Sequence, residues 1–236
     1  MQRYQAYAEF REALSRSREL LRVEARNFSD PPTPREIVAV DGLRGAVAVL
    51  SIAAFEGYLR SLLPEAIERI APNVMTHEKL PENLRRAASF NLLEIAMTPP
   101  RYTYPYPTIA SRLAATELAA THVSRHELKG EAFGLLEGNP GSEGVKAVFK
   151  EVGLDNLFSR CLPRLIRRWS TPVSQTFIQD TLDELVRRRN HVAHGNSALT
   201  LSRRDLRDGV RFLRTLADVL EIELRYHFRA LARNVR

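Results

Sequence analysis

The sequence lacks the elements on which several classes of protein depend. Cys161 is the only cysteine among 236 residues, which excludes an internal disulfide framework and a zinc site built from several cysteines. The longest nearly uncharged apolar run, residues 45–55, is shorter than a membrane span requires. The N-terminus is charged and amphipathic, without the apolar core of a secretory signal. We therefore expect a cytoplasmic protein with no membrane partner.

Lysine is also scarce. Four of the 35 basic residues are lysine, so 31 are arginine, and the formal net charge is +7. Arginine presents a planar fork that holds phosphate oxygens bidentately, which favours an anionic partner such as RNA. A GC-rich genome would produce the same bias without functional meaning, and net charge alone does not decide between the two.

Helical signals run through the whole chain, and no alternating strand pattern of useful length interrupts them. The segment Thr33-Pro34-Arg35-Glu36 is a capping box that predicts a long helix reaching about residue 71. Ser202 caps the last helix, and Gly195 ends the helix before it. The remaining helices are expected at residues 2–27, 81–97, 108–121, 142–152 and 155–168, and from Thr171-Pro172 to His194.

Two loops separate these helices. The first, residues 98–107, is rich in proline and tyrosine and contains too many prolines for a helix. Its Tyr102, Tyr104 and Tyr106 could stack unpaired bases or could simply pack on the surface. The second is a turn cluster at residues 137–141.

The most informative segment reads Arg-Asn-His-Val-Ala-His-Gly, residues 189–195. Histidine exchanges protons near neutral pH, and arginine offers phosphate a fixed positive charge. On a helix Asn190 and His194 share a face, so the amide could orient the imidazole. Arg189 projects to the apolar side, about 140° away from His194. Both can act in one site if the helix distorts near its end, or if two copies meet across a twofold axis.

This segment resembles the R-x4-6-H motif of the HEPN superfamily, in which a polar residue often follows the arginine. Arg189 matches the arginine, Asn190 the polar residue and His194 the histidine. The wider chain, roughly residues 38–230, looks like the RiboL-PSP-HEPN branch or a close relative. The likeness includes an apolar helix at 51–59 with an embedded glutamate, and the stretch 139–146.

The resemblance implies an all-α fold, a HEPN-type antiparallel helical bundle with additional helices. We expect a single domain over residues 1–236, with a core at about 34–232 and residues 1–30 packing on it as a helix. The resemblance also implies a homodimeric endoribonuclease that cleaves RNA without a metal or other cofactor, leaving a 2′,3′-cyclic phosphate and a 5′-hydroxyl.

HEPN nucleases are common as toxins and phage-defence effectors, so an antitoxin or defence-system partner encoded nearby is expected. The alternative is a non-catalytic HEPN module that binds a partner protein or a nucleotide. Toxins silenced by a nucleotidyltransferase antitoxin carry a tyrosine two positions after the histidine. Asn196 stands there in this chain, which departs from that pattern.

Five residues are assigned to the site: Arg189, Asn190 and His194 as catalytic, with Glu56 and His191 in support. Glu56 lies on an apolar helix and either pairs with Arg189 or points to solvent. His191 and His194 could ligate a metal, but no carboxylate or cysteine flanks them at ligand spacing, so no metal site is expected. The alternative for the whole segment is a basic helix end that complements the helix dipole.

RNA binding is assigned to five arginines: Arg187, Arg188, Arg204, Arg207 and Arg211. The last three form part of a stripe on the final helix. Such a stripe could track a phosphate backbone or could be a solvated face. The other histidines are expected on the surface or in packing: His77, His122, His126 and His227.

Overall fold

The computed structural model describes residues 3–70, 80–97, 108–125, 128–136, 139–169, 173–195 and 201–235. Within those ranges the chain has eight α-helices, one short 3-10 turn at Gly130–Ala132, and no strand, which confirms the all-α prediction. The helices are α1 (Gln5–Asn27), α2 (Ile37–Ile70), α3 (Glu82–Met97), α4 (Ile109–Arg125), α5 (Ser142–Glu151), α6 (Leu157–Ile166), α7 (Phe177–Ala193) and α8 (Arg203–Val235).

Local signals in the sequence placed several helix ends correctly. The Glu36 carboxylate accepts hydrogen bonds from the Thr33 backbone N–H and hydroxyl, at 2.7 and 2.8 Å, just before α2. These bonds lower the pKa of Glu36. At α8, the Ser202 hydroxyl oxygen accepts from the Asp205 N–H at 3.0 Å. The predicted start of α7 at Thr171-Pro172 is wrong: these two residues lie outside the described residues, but residues 173–176 form an irregular segment and a turn, and α7 begins at Phe177.

The chain divides into two compact units. The first comprises Met1–Leu59, Leu136–Val145 and Phe158–Glu223. The second comprises Arg60–Leu135, Lys146–Leu157 and Leu224–Arg236. All the residues that the sequence assigned to the site belong to the first unit. The expected single domain over residues 1–236 stays a prediction.

An aromatic cluster in the core of the first unit joins α1 to α2. Tyr7, Phe10, Phe55 and Tyr58 are all at least 96% buried, with ring centroids 5.1 to 6.5 Å apart. The Tyr58 hydroxyl donates to the Ala217 carbonyl of α8 at 2.8 Å, and burial raises the pKa of Tyr58 well above its ordinary value. Each such ring pair contributes about 0.5–1.5 kcal/mol beyond its buried area. The cluster therefore holds α1 firmly against α2.

A buried ionic cluster ties α1, α2 and α8 together. Glu24 of α1 is 1% exposed and accepts bonds from Arg44 of α2 at 2.7 and 2.9 Å and from Arg203 of α8 at 2.5 Å. At the other end of α1, the Tyr4 N–H donates to Glu221 of α8 at 3.0 Å. These contacts at opposite ends make α1 and α8 antiparallel.

Two glycines let α7 approach its neighbours closely. A Cβ at Gly45 of α2 would lie 2.9 Å from a Val192 methyl, and one at Gly209 of α8 would lie 2.7 Å from a Leu185 methyl. These distances are shorter than carbon atoms tolerate, so larger residues would push α7 outward. The helix that carries the motif is thereby seated against both α2 and α8.

Helix α2 passes the length and composition test for a membrane span, with a mean hydropathy of 1.8 over an 18-residue window. The apolar part of this helix is therefore longer than the uncharged run at residues 45–55 suggests. The same helix supplies Val40, Val47 and Ile52 to the core of the first unit, each at most 1% exposed. Core helices of globular proteins pass the same test.

The second unit contains the packed pair α3 and α4. Asn91 of α3 donates to the Ala132 carbonyl in the 3-10 turn at 3.1 Å, and Arg112 of α4 donates to the Ala96 carbonyl at 2.6 Å. The Pro/Tyr-rich segment 98–107, including its three tyrosines, lies outside the described residues.

Candidate functional site

The end of α7 presents His194 to solvent. The helix stops at Ala193, and the His194 backbone N–H donates to the Asn190 carbonyl at 3.0 Å. Gly195 follows with φ +70°, a left-handed conformation that favours glycine at this helix position. The stop predicted at Gly195 is therefore confirmed. Both His194 and Gly195 are exposed, so the imidazole is accessible to a substrate.

Arg189, one turn earlier, points to other elements of the first unit. Its Nη1 donates to the Asn139 amide oxygen at 2.8 Å and to the Asn190 amide oxygen at 3.0 Å. The side chain is 26% exposed. Because both acceptors are neutral amides, they hold the guanidinium in place without neutralising its positive charge. Among the residues that the structure describes, its Nε and Nη2 donors make no hydrogen bond, so they remain available to a phosphate.

Glu56 forms a long ion pair with that guanidinium. Its Oε2 lies 4.0 Å from Arg189 Nη2, and its side chain is 23% exposed. The sequence left two alternatives for Glu56, pairing with Arg189 or pointing to solvent. Each holds in part, since Glu56 faces Arg189 and also reaches solvent. An ion pair at this distance and exposure contributes little to the free energy of folding. The two asparagines, rather than Glu56, fix the orientation of Arg189.

The loop that supplies Asn139 is anchored to the same helix that carries the motif. Asp183 of α7 accepts hydrogen bonds from the Ser142 N–H and hydroxyl, both at 2.7 Å. A Cβ at Gly141 would lie 3.1 Å from that carboxylate, so the close approach leaves little room for a side chain. Asp183 thus caps α5 and fixes the position of Asn139 next to Arg189.

Asn190 does not orient His194 in the way that the shared helix face suggested. Its amide oxygen accepts from Arg189 instead. Within the described residues, no side-chain hydrogen bond joins His194 to Asn190, His191 or Arg189. Asn190 and His191 are half-buried on the last turn of α7. The structure thus brings Arg189, Asn190 and Glu56 together, and in the described part of the chain no hydrogen bond joins the His194 imidazole to them.

The five arginines assigned to RNA binding lie in three different settings. Arg187 and Arg188 on α7 both bind Glu184, at 2.7–2.8 Å, and the bond from Arg187 lowers the pKa of Glu184. That same bond raises the pKa of Arg187. Arg207 and Arg211 line a groove between α1 and α8. Arg204 is 91% exposed near Asp208 and does not line that groove.

The part of the chain that contains Arg189 and His194 matches a known protein family. Residues 121–226 match the model of the RiboL-PSP-HEPN family. These residues form a HEPN domain. No curated protein and no solved structure matches the chain at a significant level.

The HEPN match is narrower than the resemblance drawn from the sequence, which began near residue 38. It includes α5, α6, α7 and most of α8, and so contains Asn139, Arg189 and His194. Helix α1 and Glu56 on α2 lie outside it. The extension of the likeness to those helices stays a prediction.

Asn139 is the site residue of the HEPN domain that the sequence did not single out. The stretch 139–146 contributed to the resemblance, but it carried no assigned role. Asn139 and Arg189 are 50 positions apart, and no periodicity links a loop to a distant helix face. The only signal in the sequence was the turn composition around Pro140. It predicts a loop before α5, but it does not predict that this loop contacts Arg189.

The other ionisable groups do not extend the site. Within the described residues, no group of three or more histidines, cysteines, aspartates or glutamates could hold a metal ion. His122 is 2% exposed, and the His227 ring lies 2.8 Å from the Val152 carbonyl oxygen, consistent with packing roles. His77 and His126 lie outside the described residues. Burial raises the pKa of Cys161, which disfavours a reactive thiolate.

Proposed function

We propose that the HEPN domain is an endoribonuclease that cleaves RNA by attack of the neighbouring 2′-hydroxyl. The observation that carries this proposal is the setting of Arg189. Two amide oxygens fix its guanidinium, no carboxylate neutralises it at hydrogen-bond distance, and an accessible histidine ends the same helix. A fixed cation and a group that titrates near neutral pH are what transesterification of a phosphodiester needs.

In the proposed reaction the 2′-oxygen bonds to phosphorus and the bond from phosphorus to the 5′-oxygen breaks. One histidine accepts the proton of the 2′-hydroxyl, and the departing 5′-oxygen receives a proton from a second acid. Arg189 stabilises the charge that builds on the phosphorane oxygens. The products are a 2′,3′-cyclic phosphate and a 5′-hydroxyl, and the chemistry requires no metal.

We propose that the active form is a homodimer. Within one copy the Arg189 guanidinium faces α2 and the loop at Asn139, whereas His194 stands at the exposed helix end. A twofold axis would bring two histidines into one cleft, one as base and one as acid, beside two arginines. Light scattering should give twice the chain mass at micromolar concentration. A strict monomer with full activity would contradict this step.

The cellular role proposed is that of a cytoplasmic toxin or phage-defence effector, neutralised or activated by a partner encoded nearby. Growth arrest on expression of the wild-type chain, relieved by His194→Ala, would support this role. Arrest that persists in that variant would contradict it.

A non-catalytic HEPN module is the second candidate function. The observation that favours it is the lack of a described hydrogen-bond partner that would orient the His194 imidazole. End-group analysis of a labelled RNA distinguishes the two functions. A 2′,3′-cyclic phosphate that disappears when the attacking 2′-hydroxyl is replaced by hydrogen supports the nuclease. An uncleaved RNA under all tested conditions supports the module.

A further inference from the structure

A groove lined mainly by arginine runs between α1 and α8 of the first unit. Its volume is about 640 Å³. Of the thirteen described residues that line it, eight are arginine and one, Asp218, is acidic. The arginines are Arg3, Arg11, Arg18, Arg22, Arg168, Arg207, Arg211 and Arg214. We call this surface the arginine groove.

The charge of the arginine groove is only partly compensated within the chain. Asp218 already pairs with Arg3 at 2.8 Å and Arg168 at 3.1 Å. Arg211 lies over the Trp169 ring at 4.6 Å. By contrast, four of the arginines have no ion pair or hydrogen bond with any described residue, namely Arg11, Arg18, Arg207 and Arg214. Like charges held in one concave surface repel each other, and a bound anion removes that cost.

The length of the groove favours a chain of phosphates over a single small anion. Tyr7 and Arg22 stand at opposite ends of the part of α1 that lines it, 15 residues apart, which is roughly 22 Å at the rise of an α-helix. A stacked single strand advances about 3.4 Å per nucleotide, so this length accommodates roughly six nucleotides. Such a site size is ordinary for proteins that bind single strands through a basic groove.

We propose that the arginine groove binds the phosphate backbone of single-stranded RNA. The preference for a phosphate chain follows from the groove, whereas the choice of RNA rests on the proposed nuclease function. Helix α1, which supplies three of the eight arginines, lies outside the residues that match the HEPN family. The groove therefore joins a helix outside the matched residues to residues within them, and neither Arg189 nor His194 lines it.

Two matched triple variants test this proposal. Arg11→Ala, Arg18→Ala and Arg214→Ala together remove three groove charges. Arg16→Ala, Arg26→Ala and Arg35→Ala remove three exposed charges that do not line the groove. The probe is a labelled oligouridylate of about twelve nucleotides, long enough to cover the site. Binding is followed by fluorescence anisotropy in EDTA, in a His194→Ala background that prevents turnover.

The groove triple should raise the Kd by on the order of tenfold at physiological salt and reduce the slope of log K against log salt by about 2. The control triple should change both much less. Equal effects of the two triples, no effect of either, or equally effective displacement of the RNA by polyglutamate would overturn the proposal. If the groove triple fails to fold, the single variants Arg18→Glu and Arg16→Glu replace the two triples. Arg18→Glu should then weaken RNA binding and Arg16→Glu should not, and equal effects would again overturn the proposal.

Cleavage is measured separately on the variants that retain His194. If RNA binding depends on the groove but no RNA is ever cut, the proposed nuclease function fails and the groove assignment stands. If RNA is cut but the groove triple binds normally, the groove assignment fails and the nuclease stands.

Discussion

The Arg189 guanidinium donates a 2.8 Å hydrogen bond to the amide oxygen of Asn139, 50 positions earlier in the chain. A neutral acceptor at this place orients the guanidinium without cancelling its charge. We therefore expect Asn139→Asp to keep the orientation and neutralise the charge. Single-turnover cleavage should slow by about tenfold or more. This loss is smaller than the roughly 10² to 10³ expected when a transition-state donor is removed altogether.

The matched control for Asn139→Asp is Asn156→Asp. Asn156 is exposed, and its φ of 53° is a conformation that aspartate also tolerates. This variant adds the same negative charge at a residue that does not contact Arg189, and it should leave the cleavage rate unchanged. Equal rates for Asn139→Asp and the wild type would show that the charge of Arg189 is not used.

Replacing Arg189 should affect chemistry far more than stability. Arg189→Ala should lower the cleavage rate by about 10² to 10³, because it removes the cation that faces the phosphorane. The ion pair with Glu56, at 4.0 Å and about a quarter exposed, contributes little, so the free energy of unfolding should fall by about 1–2 kcal/mol, mainly through the two lost hydrogen bonds to amide oxygens. Urea denaturation of both proteins measures this.

The exposure of Glu56 also revises what a second substitution should do. A fully buried Glu56 would need relief once Arg189 is gone, and Glu56→Gln would then restore stability. Since solvent already reaches this carboxylate, adding Glu56→Gln to Arg189→Ala should leave the urea midpoint nearly unchanged. A large recovery of stability would contradict the argument that solvent reaches the Glu56 carboxylate.

The stability of the first unit should depend strongly on Glu24. This carboxylate is 1% exposed and bound by Arg44, itself 4% exposed, and by Arg203. Glu24→Gln should lower the free energy of unfolding by up to about 3–5 kcal/mol, because it leaves Arg44 and Arg203 with the 42% exposed Asp30 as their counter-charge, at 3.1 and 3.8 Å. Glu19→Gln breaks the exposed pair with Arg22 and should cost less than about 1 kcal/mol. Similar losses in the two variants would contradict the role of burial.

Cleavage should persist in the presence of EDTA. In the described part of the chain, Arg189 and His194 are not accompanied by a group of carboxylates and histidines that could hold a metal. The proposed proton transfers and charge stabilisation need side chains alone. The measurement is the cleavage rate in excess chelator, with and without added magnesium. A rate that falls to zero and returns only with a divalent ion would contradict the proposed chemistry.

Local rules predicted several helix ends and located the segment that carries the motif. The Thr33–Glu36 capping contact and the glycine stop at Gly195 depend on neighbouring residues only, so composition at fixed offsets reveals them. The Asn139 contact and the arginine groove depend on which elements pack together. The stripe on α8 was visible from the sequence, but its pairing with arginines of α1 was not, because helical periodicity does not specify a partner.

Single-turnover cleavage of a labelled RNA by the His194→Ala variant tests the proposed chemistry most directly. The variant should cut about 10² to 10⁴ times more slowly than the wild type, since it loses proton transfer. Its affinity for the same RNA, measured by anisotropy, should be nearly unchanged, because the imidazole is exposed at the helix end and has no described side-chain hydrogen bond. Cleavage by His194→Ala at the wild-type rate would contradict the assignment of His194 as the catalytic histidine.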